Sequence, residues 1–143
     1  MCKIFEVTLK DLSKINELEN QLNLNKTKLN FFNQTLLNEN LKFIKLILDR
    51  EIIGFLQFSW NKSDCDIISI GVIKKLQKMN YGKKLIEYLK NLNFKNIYAE
   101  VSINNNNAIM FYQRLNFLRI GLRKNYYKKQ RSDAILLKLE NFI

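Results

Sequence analysis

The chain has 143 residues and a mass of 17.1 kDa, with 47% hydrophobic and 26% charged residues. That is the make-up of one compact globular domain running over residues 1–143, and it excludes a disordered chain. Histidine is absent from the sequence, which excludes Ser-His-Asp and Cys-His triads and every His-ligated metal site, so no metal is expected. Acid–base chemistry falls to Glu, Asp, Tyr, Cys, Lys or backbone groups.

The 24 Lys and Arg stand against 13 Asp and Glu, a net charge of +11. Two readings stay open. Such a charge is the footprint of a nucleic-acid or ribosome-binding surface, and it is also what A/T-rich codons for Lys, Asn and Ile produce by drift. The basic residues are scattered, with one dense patch from Arg123 to Arg131 that offers a ribosome or RNA contact. Cys2 and Cys65 form no CxxC pair, and two reduced thiols are expected. No apolar run approaches the ~18 residues of a membrane span, and Glu6 falls where a signal peptide needs apolar residues. A cytoplasmic protein without membrane contact is the expectation.

In chain order, Lys3 to Thr8 predicts a strand, and Asp11 an N-cap for a helix carrying Leu12, Ile15, Leu18 and Leu22. A second helical pattern carries Leu29, Phe32, Leu36 and Leu37, with Thr27 as its cap. Leu41 to Leu48, a tight turn at Asp49-Arg50-Glu51 and Ile52 to Trp60 predict a hairpin, extended by a third strand from Asp66 to Ile73. The second half alternates: a helix from about Gly82, a strand from Asn96 to Ser102, a helix from Asn105 to Leu115, and strands from Phe117 to Arg123 and Ser132 to Leu139. This order gives an α/β (α+β) architecture, a mixed sheet with helices on both faces.

The junction after the third strand carries the chemistry. A strand ends at Gly71-Val72-Ile73, a loop follows, and a helix opens near Gly82, where free backbone N–H groups and the positive helix end attract anions. Lys78, Lys83 and Lys84 add charge. Within it, Gln77-Lys78-Met79-Asn80-Tyr81-Gly82 resembles the Gln/Arg-x-x-Gly-x-Gly/Ala motif with which the GNAT superfamily of N-acetyltransferases wraps the pyrophosphate of acetyl-CoA. Asn80 stands where the motif has its first Gly, and Asn is the residue that next best tolerates a left-handed backbone.

A second block, Ala99-Glu100-Val101-Ser102 through Asn105, Ala108-Ile109, Phe111-Tyr112 and Leu115-Asn116-Phe117, is similar to that superfamily's Leu-Glu-Val-Arg-x-Ser-Asn-x-x-Ala-Ile-x-Leu-Tyr-x-x-Leu-Gly-Phe segment. Arg123-Lys124-Asn125-Tyr126-Tyr127 and Ser132-Asp133-Ala134-Ile135 resemble the Arg-x-Asn-Tyr-Tyr and Glu-Asp-Ala-Ile pieces of its RimI-like branch. That branch acetylates protein N-termini, in bacteria typically that of a small-subunit ribosomal protein. Asn116, Ser102 and Ile73-Lys74 depart from the family's Gly, Arg and Asp-Pro.

The resemblance implies a single GNAT-type domain, a mostly antiparallel sheet of about seven strands with a splay between two central ones. It implies acetyl-CoA as co-substrate and a protein N-terminus as partner. Glu100 would be the general base, acting through a water, and Tyr112 the general acid for the CoA thiolate. Ile70, Gly71 and Val72 would lie along the acetyl-pantetheine arm, with a backbone N–H near Val72 on the thioester carbonyl. Gln77, Lys78, Met79, Asn80, Tyr81, Gly82 and Lys83 would hold the diphosphate, Asn105 would cap its helix and touch the cofactor, and Tyr126 and Tyr127 would line the peptide side.

An α-amine titrates near 7.7–8.0 and a lysine near 10.4, a gap of about 3 pH units or ~4 kcal/mol, so a weak base suits an N-terminus better than a lysine. A small-molecule amine as acceptor, and a non-catalytic basic ribosome- or RNA-binding module, are the alternatives. A +11 protein repels a basic peptide unless its cleft is locally acidic, for which Asp64, Asp66, Glu100 and Asp133 are candidates.

Overall fold

The computed structural model describes residues 2–127 and 132–141; the side chains at 125–127 and 132 fall outside that description. One seven-stranded sheet runs in the order β1-β2-β3-β4-β5-β7-β6. The strands are β1 Cys2–Glu6, β2 Leu41–Leu48, β3 Glu51–Asn61, β4 Asp64–Val72, β5 Asn96–Ser102, β6 Leu118–Tyr127 and β7 Ser132–Glu140. All neighbouring pairs are antiparallel except β4 and β5. The helices are α1 Leu12–Gln21, α2 Leu29–Leu37, α3 Tyr81–Asn91 and α4 Asn106–Arg114.

Period-2 alternation along the strands sends side chains to two cores. On one face Phe43 and Phe55 meet Ile15 and Leu18 of α1 and Phe32 of α2. On the other, Leu56, Phe58, Ile97, Ala99 and Val101 meet Leu85, Ile86 and Leu89 of α3 and Tyr112 of α4. Each fully buried Phe or Leu contributes roughly 1.5–3 kcal/mol, so the rows from β3 and β5 fix which face every other residue presents. The β2–β3 turn is tighter than the sequence suggests. Asp49 (φ 50) and Arg50 (φ 68) both take left-handed backbone, and Glu51 already belongs to β3. Two left-handed central residues make the type I′ geometry that matches strand twist.

Asp11 stands at the N-cap of α1 as expected, at the end of a single 3-10 turn, Leu9–Asp11, but its side chain makes no capping bond to α1. Its carboxylate accepts from Thr8 N (2.8 Å), Thr8 Oγ1 (3.0 Å) and Lys45 Nζ (2.6 Å). Thr27 does not cap α2, whose N-cap is Lys28. Its N and Oγ1 donate instead to the buried Glu19 carboxylate at 3.0 and 2.7 Å. Both side chains have partners other than the helix end. The apolar stripe expected of α2 is mostly uncovered: Phe32 is buried, whereas Leu29, Leu36 and Leu37 are 52%, 63% and 86% exposed.

The Asp11–Lys45 pair sets a pH response. Burial pushes the Asp11 carboxyl up, but the hydrogen bonds from Lys45 and Thr8, with the Lys45 charge, together hold it below its ordinary 3.8. A depressed folded-state value means the stabilisation is full above the ordinary value and is lost as pH falls through the lower, folded one. Asp11→Asn is expected to cost about 1–3 kcal/mol at neutral pH, and urea titrations at stepwise lower pH should show the two proteins converging below the ordinary value. An unchanged gap in strong acid would refute this assignment.

Candidate active site

The sheet opens at its one parallel pair. Only Asp64, Cys65 and Asp66 pair with Asn96, Ile97 and Tyr98. Beyond them Ile67–Val72 and Ala99–Ser102 run unpaired with each other, so a gap widens toward the carboxyl ends of both strands, the end where α/β crevices take ligands. Ile73 N donates to Ile53 O at 2.9 Å, in the same register that pairs Gly54 with Val72 and Leu56 with Ile70. Antiparallel ladders alternate, so the N–H and C=O of Ile70 and Val72 turn away from β3 and into the gap. Ile70 and Val72 thus stand at the edge of the gap.

Gly71 lies in the same row for a reason of packing. A Cβ there would sit 2.7 Å from Leu22 Cδ1 and 2.8 Å from Phe55 Cζ, so the missing side chain lets the end of α1 rest on β4. Gly82 is similar: its Cβ would meet Phe111 Cε1 at 2.7 Å, so the start of α3 rests closely on the Phe111 ring of α4.

Between β4 and α3 the backbone turns left-handed at Lys78 (φ 62) and again at Asn80 (φ 70). Asn80 thus takes the conformation expected of the motif's glycine. Left-handed turns alternating with ordinary ones converge successive N–H groups into a concave anion nest. The N–H groups of Tyr81, Gly82 and Lys83 open α3 and have no partner within the helix. Lys74, Lys75, Lys78, Lys83 and Lys84 are all exposed around this end, as is Met79, while Tyr81 packs against the core. Gln77 is used differently. Its Nε2 donates to Val72 O at 2.9 Å, tying the loop to the end of β4.

Asn105 caps α4 as expected, its Oδ1 accepting from Ala108 N at 3.1 Å. Tyr112 is 4% exposed in the α3/α4 core, edge-on to Phe111 (5.1 Å) and Phe117 (5.0 Å). Glu100 faces the other way. Ile97, Ala99 and Val101 point into that core, so Tyr98, Glu100 and Ser102 stand on the α1/α2 face. Glu100 and Tyr112 therefore stand on opposite faces of the sheet. On the Glu100 side, Arg123 Nη2 lies 3.0 Å from Glu100 Oε1.

Of the acidic residues considered for the cleft, Asp64, Asp66 and Glu100 share one face, but Asp64 and Asp66 lie in the paired stretch and only Glu100 lies beyond it; Asp64 accepts from Asn96 Nδ2 at 2.9 Å. Burial, then the neighbouring Asp64, pushes the Asp66 carboxyl up. Asp133 alternates with Ala134, which opposes Ser102, and so belongs to the opposite face. Cys2 and Cys65 are free, and burial, then Asp66, pushes the Cys65 thiol up to about 12, which makes it inert at neutral pH.

Tyr126 and Tyr127 end β6, but their side chains lie outside the described residues, as do residues 128–131 of the basic patch. Arg123, the patch's first member, turns to Glu100. Sequence reasoning missed that pairing, which depends on the spatial order of β5, β7 and β6. It also missed Gln57, buried on β3 opposite Ser69, whose Nε2 meets no acceptor among the described residues; a lone Gln in an apolar strand was the signal available. Among the described residues no helix is long and apolar enough to cross a membrane.

A mixed sheet opened at its centre, with a basic anion-binding turn at one end of the gap, defines a GNAT-type acyltransferase. The profile of the Acetyltransferase (GNAT) family matches residues 8–117, and the chain belongs to that family. The N-alpha-acetyltransferase 50 of Danio rerio is 34% identical over 55% of this chain, which spans about half (51%) of that protein's length. The [ribosomal protein bS18]-alanine N-acetyltransferase of Haemophilus influenzae is 30% identical over 66% of this chain and 68% of its own. Among solved structures, the ribosomal-protein-S18-alanine N-acetyltransferase of Escherichia coli superposes with a TM-score of 0.85 over 100% of this chain and 96% of its own, at 22% identity. That last likeness is one of fold.

Proposed function

We propose that residues 1–143 form one N-acetyltransferase domain that moves the acetyl group of acetyl-CoA to the N-terminal α-amine of a protein, a ribosomal protein in particular, in the cytoplasm. The observation that carries this reading is the gap between β4 and β5 with a carboxylate on one face and a buried phenol on the other. The relatives named for N-terminal acetylation, one of them for alanine of bS18, support the acceptor.

The residues fit the co-substrate. The nest at Lys78–Asn80, the start of α3 and the lysines around it suit a diphosphate, and the inward amides of Ile70 and Val72 suit an extended amide chain lying in the gap as a missing strand. Acetyl-CoA, when bound, supplies the activated thioester. Val72 N–H donates to the carbonyl oxygen as it gains charge, where one such donor is worth about 2.7–4 kcal/mol. Glu100 takes the proton of the amine through a water, and Tyr112 gives one to the departing sulfur from the opposite face. Gln77 keeps the loop folded onto β4, and Asn105 fixes the start of α4.

Thiol release with acetyl-CoA tests the reading. Peptides with a free N-terminal alanine, drawn from ribosomal-protein starts, are expected to turn over, and the same peptides with a blocked α-amine are not. Turnover confined to polyamines or other small amines would move the acceptor to the small-molecule alternative, and no turnover with any amine would defeat the proposal.

A further inference from the structure

β7 lies between the strands that carry Glu100 and Arg123, so their ion pair has to cross it. Glu100 opposes Leu136 on β7, and Arg123 opposes Ala134. The contact is therefore diagonal, passing between Leu136 and Ala134 on β7. Ala134 is fully buried and raises only a methyl, and Gly121, opposite Leu136, raises nothing. The Arg123 side chain crosses β7 there and brings Nη2 to 3.0 Å from Glu100 Oε1. Among the described residues, the pairs Lys14–Glu17, Lys42–Glu6, Lys45–Asp11 and Lys138–Glu140 lie elsewhere.

We propose that Arg123 is a positioning residue for the transfer: it holds the Glu100 carboxylate at the mouth of the gap and, by engaging Oε1, assigns proton acceptance to Oε2. The inference rests on Glu100 being the proton acceptor. A glutamate side chain that is 33% exposed on an open sheet face has several rotamers within reach, most of which carry its oxygens away from the gap. A charge-assisted hydrogen bond from a planar guanidinium that stays protonated at every working pH selects one of them. Such a partner acts on the rate of the chemical step, and the loss of a hydrogen bond to a charged group is worth about 10–100-fold. The same contact removes Arg123 from the set of cations available to an RNA or ribosome surface.

A double-mutant cycle tests this. Arg123→Ala is expected to lower kcat about 10-fold or more, with KM for acetyl-CoA within about twofold and thermal unfolding little changed. Arg123→Lys, which keeps a donor but not the fork, recovers part of the loss. In a Glu100→Gln background, measured by single turnover, Arg123→Ala has less than a further twofold effect, because the carboxylate it orients is gone. A purely structural role would slow both backgrounds alike, and that result overturns the inference, as does a loss carried entirely by KM for acetyl-CoA. Should Arg123→Ala not fold, Arg123→Lys in the two backgrounds makes the same comparison. The two claims separate cleanly. If Glu100→Gln turns over normally, the base assignment fails and takes this inference with it. If Glu100→Gln is crippled while Arg123→Ala is not, the positioning role alone fails.

Discussion

Glu100→Gln is expected to lower kcat by about 100-fold or more, since a positioned general base contributes roughly 10²–10⁴. The amide keeps the shape of the side chain and one hydrogen-bond acceptor for Arg123, so the fold and the Glu100 strand register with Leu136 should survive. What it removes is an oxygen that can hold a proton. Acetyl-CoA affinity should stay within about twofold, because the places proposed for the diphosphate and the amide arm, the start of α3 and the edge of β4, do not include Glu100. The loss should also depend on the acceptor. An α-amine near 7.7–8.0 supplies more neutral nucleophile as the pH is raised toward 9, so the variant is expected to regain part of its deficit there. Stopped thiol-release assays from pH 6.5 to 9 would show it, and a variant within about threefold of the parent across that range would remove Glu100 from the mechanism.

The elements of this fold are legible in the sequence because their periods are clean. Leu85, Ile86 and Leu89 recur at helical spacing and are all buried, and the alternation of β5 puts Ile97, Ala99 and Val101 in the core and Glu100 outside it. Asn80 and Asn116, standing where a glycine would be usual, both adopt left-handed backbone at φ 70, as short polar side chains allow. What local pattern leaves open is which partner a polar side chain takes. Asp11 stands at the N-cap of α1, yet its carboxylate turns to Thr8 and Lys45, and Thr27 turns to Glu19 and leaves α2 uncapped by its hydroxyl, because a partly buried carboxylate gains more from a cation or a second donor than an exposed helix end does.

The site divides along the same line. The anion-binding turn and the start of α4 are continuous stretches, so their chemistry shows in order along the chain. The gap is different, since it exists only because β4 and β5 stop pairing after Asp66 and Tyr98. Its opposite faces depend on strand parity together with the placement of α1 and α2 against α3 and α4. Gly71 illustrates the limit: its sequence context fits close approach of a ligand, and its structural context fits Leu22 and Phe55. Arg123 illustrates it again, a residue in a basic run whose partner is two strands away.

Tyr112→Phe should slow the reaction by about 10–100-fold at neutral pH while leaving the protein folded. The ring carries most of this residue's packing, edge-on to both Phe111 and Phe117, and phenylalanine preserves that ring. The hydroxyl is what changes, and its expected task is to protonate a thiolate. A phenol near 10 is a weaker acid than a thiol near 8.5, so the transfer to sulfur is uphill by about 1.5 pH units, or ~2 kcal/mol, a small step beside the cost of expelling a bare thiolate. The defect should therefore shrink with acyl donors whose leaving thiol is more acidic, because such a thiolate needs less help to depart. Comparing acetyl-CoA with an activated aryl thioester in both proteins measures this, provided each donor's own binding is measured beside its turnover. A Tyr112→Phe defect of equal size for the two donors would mean that the hydroxyl serves packing or hydrogen bonding in the core and that the proton reaches sulfur from elsewhere. A defect that closes from tens-fold to a few-fold would tie the buried face of the gap to the departing group, just as the Glu100 face is tied to the incoming one.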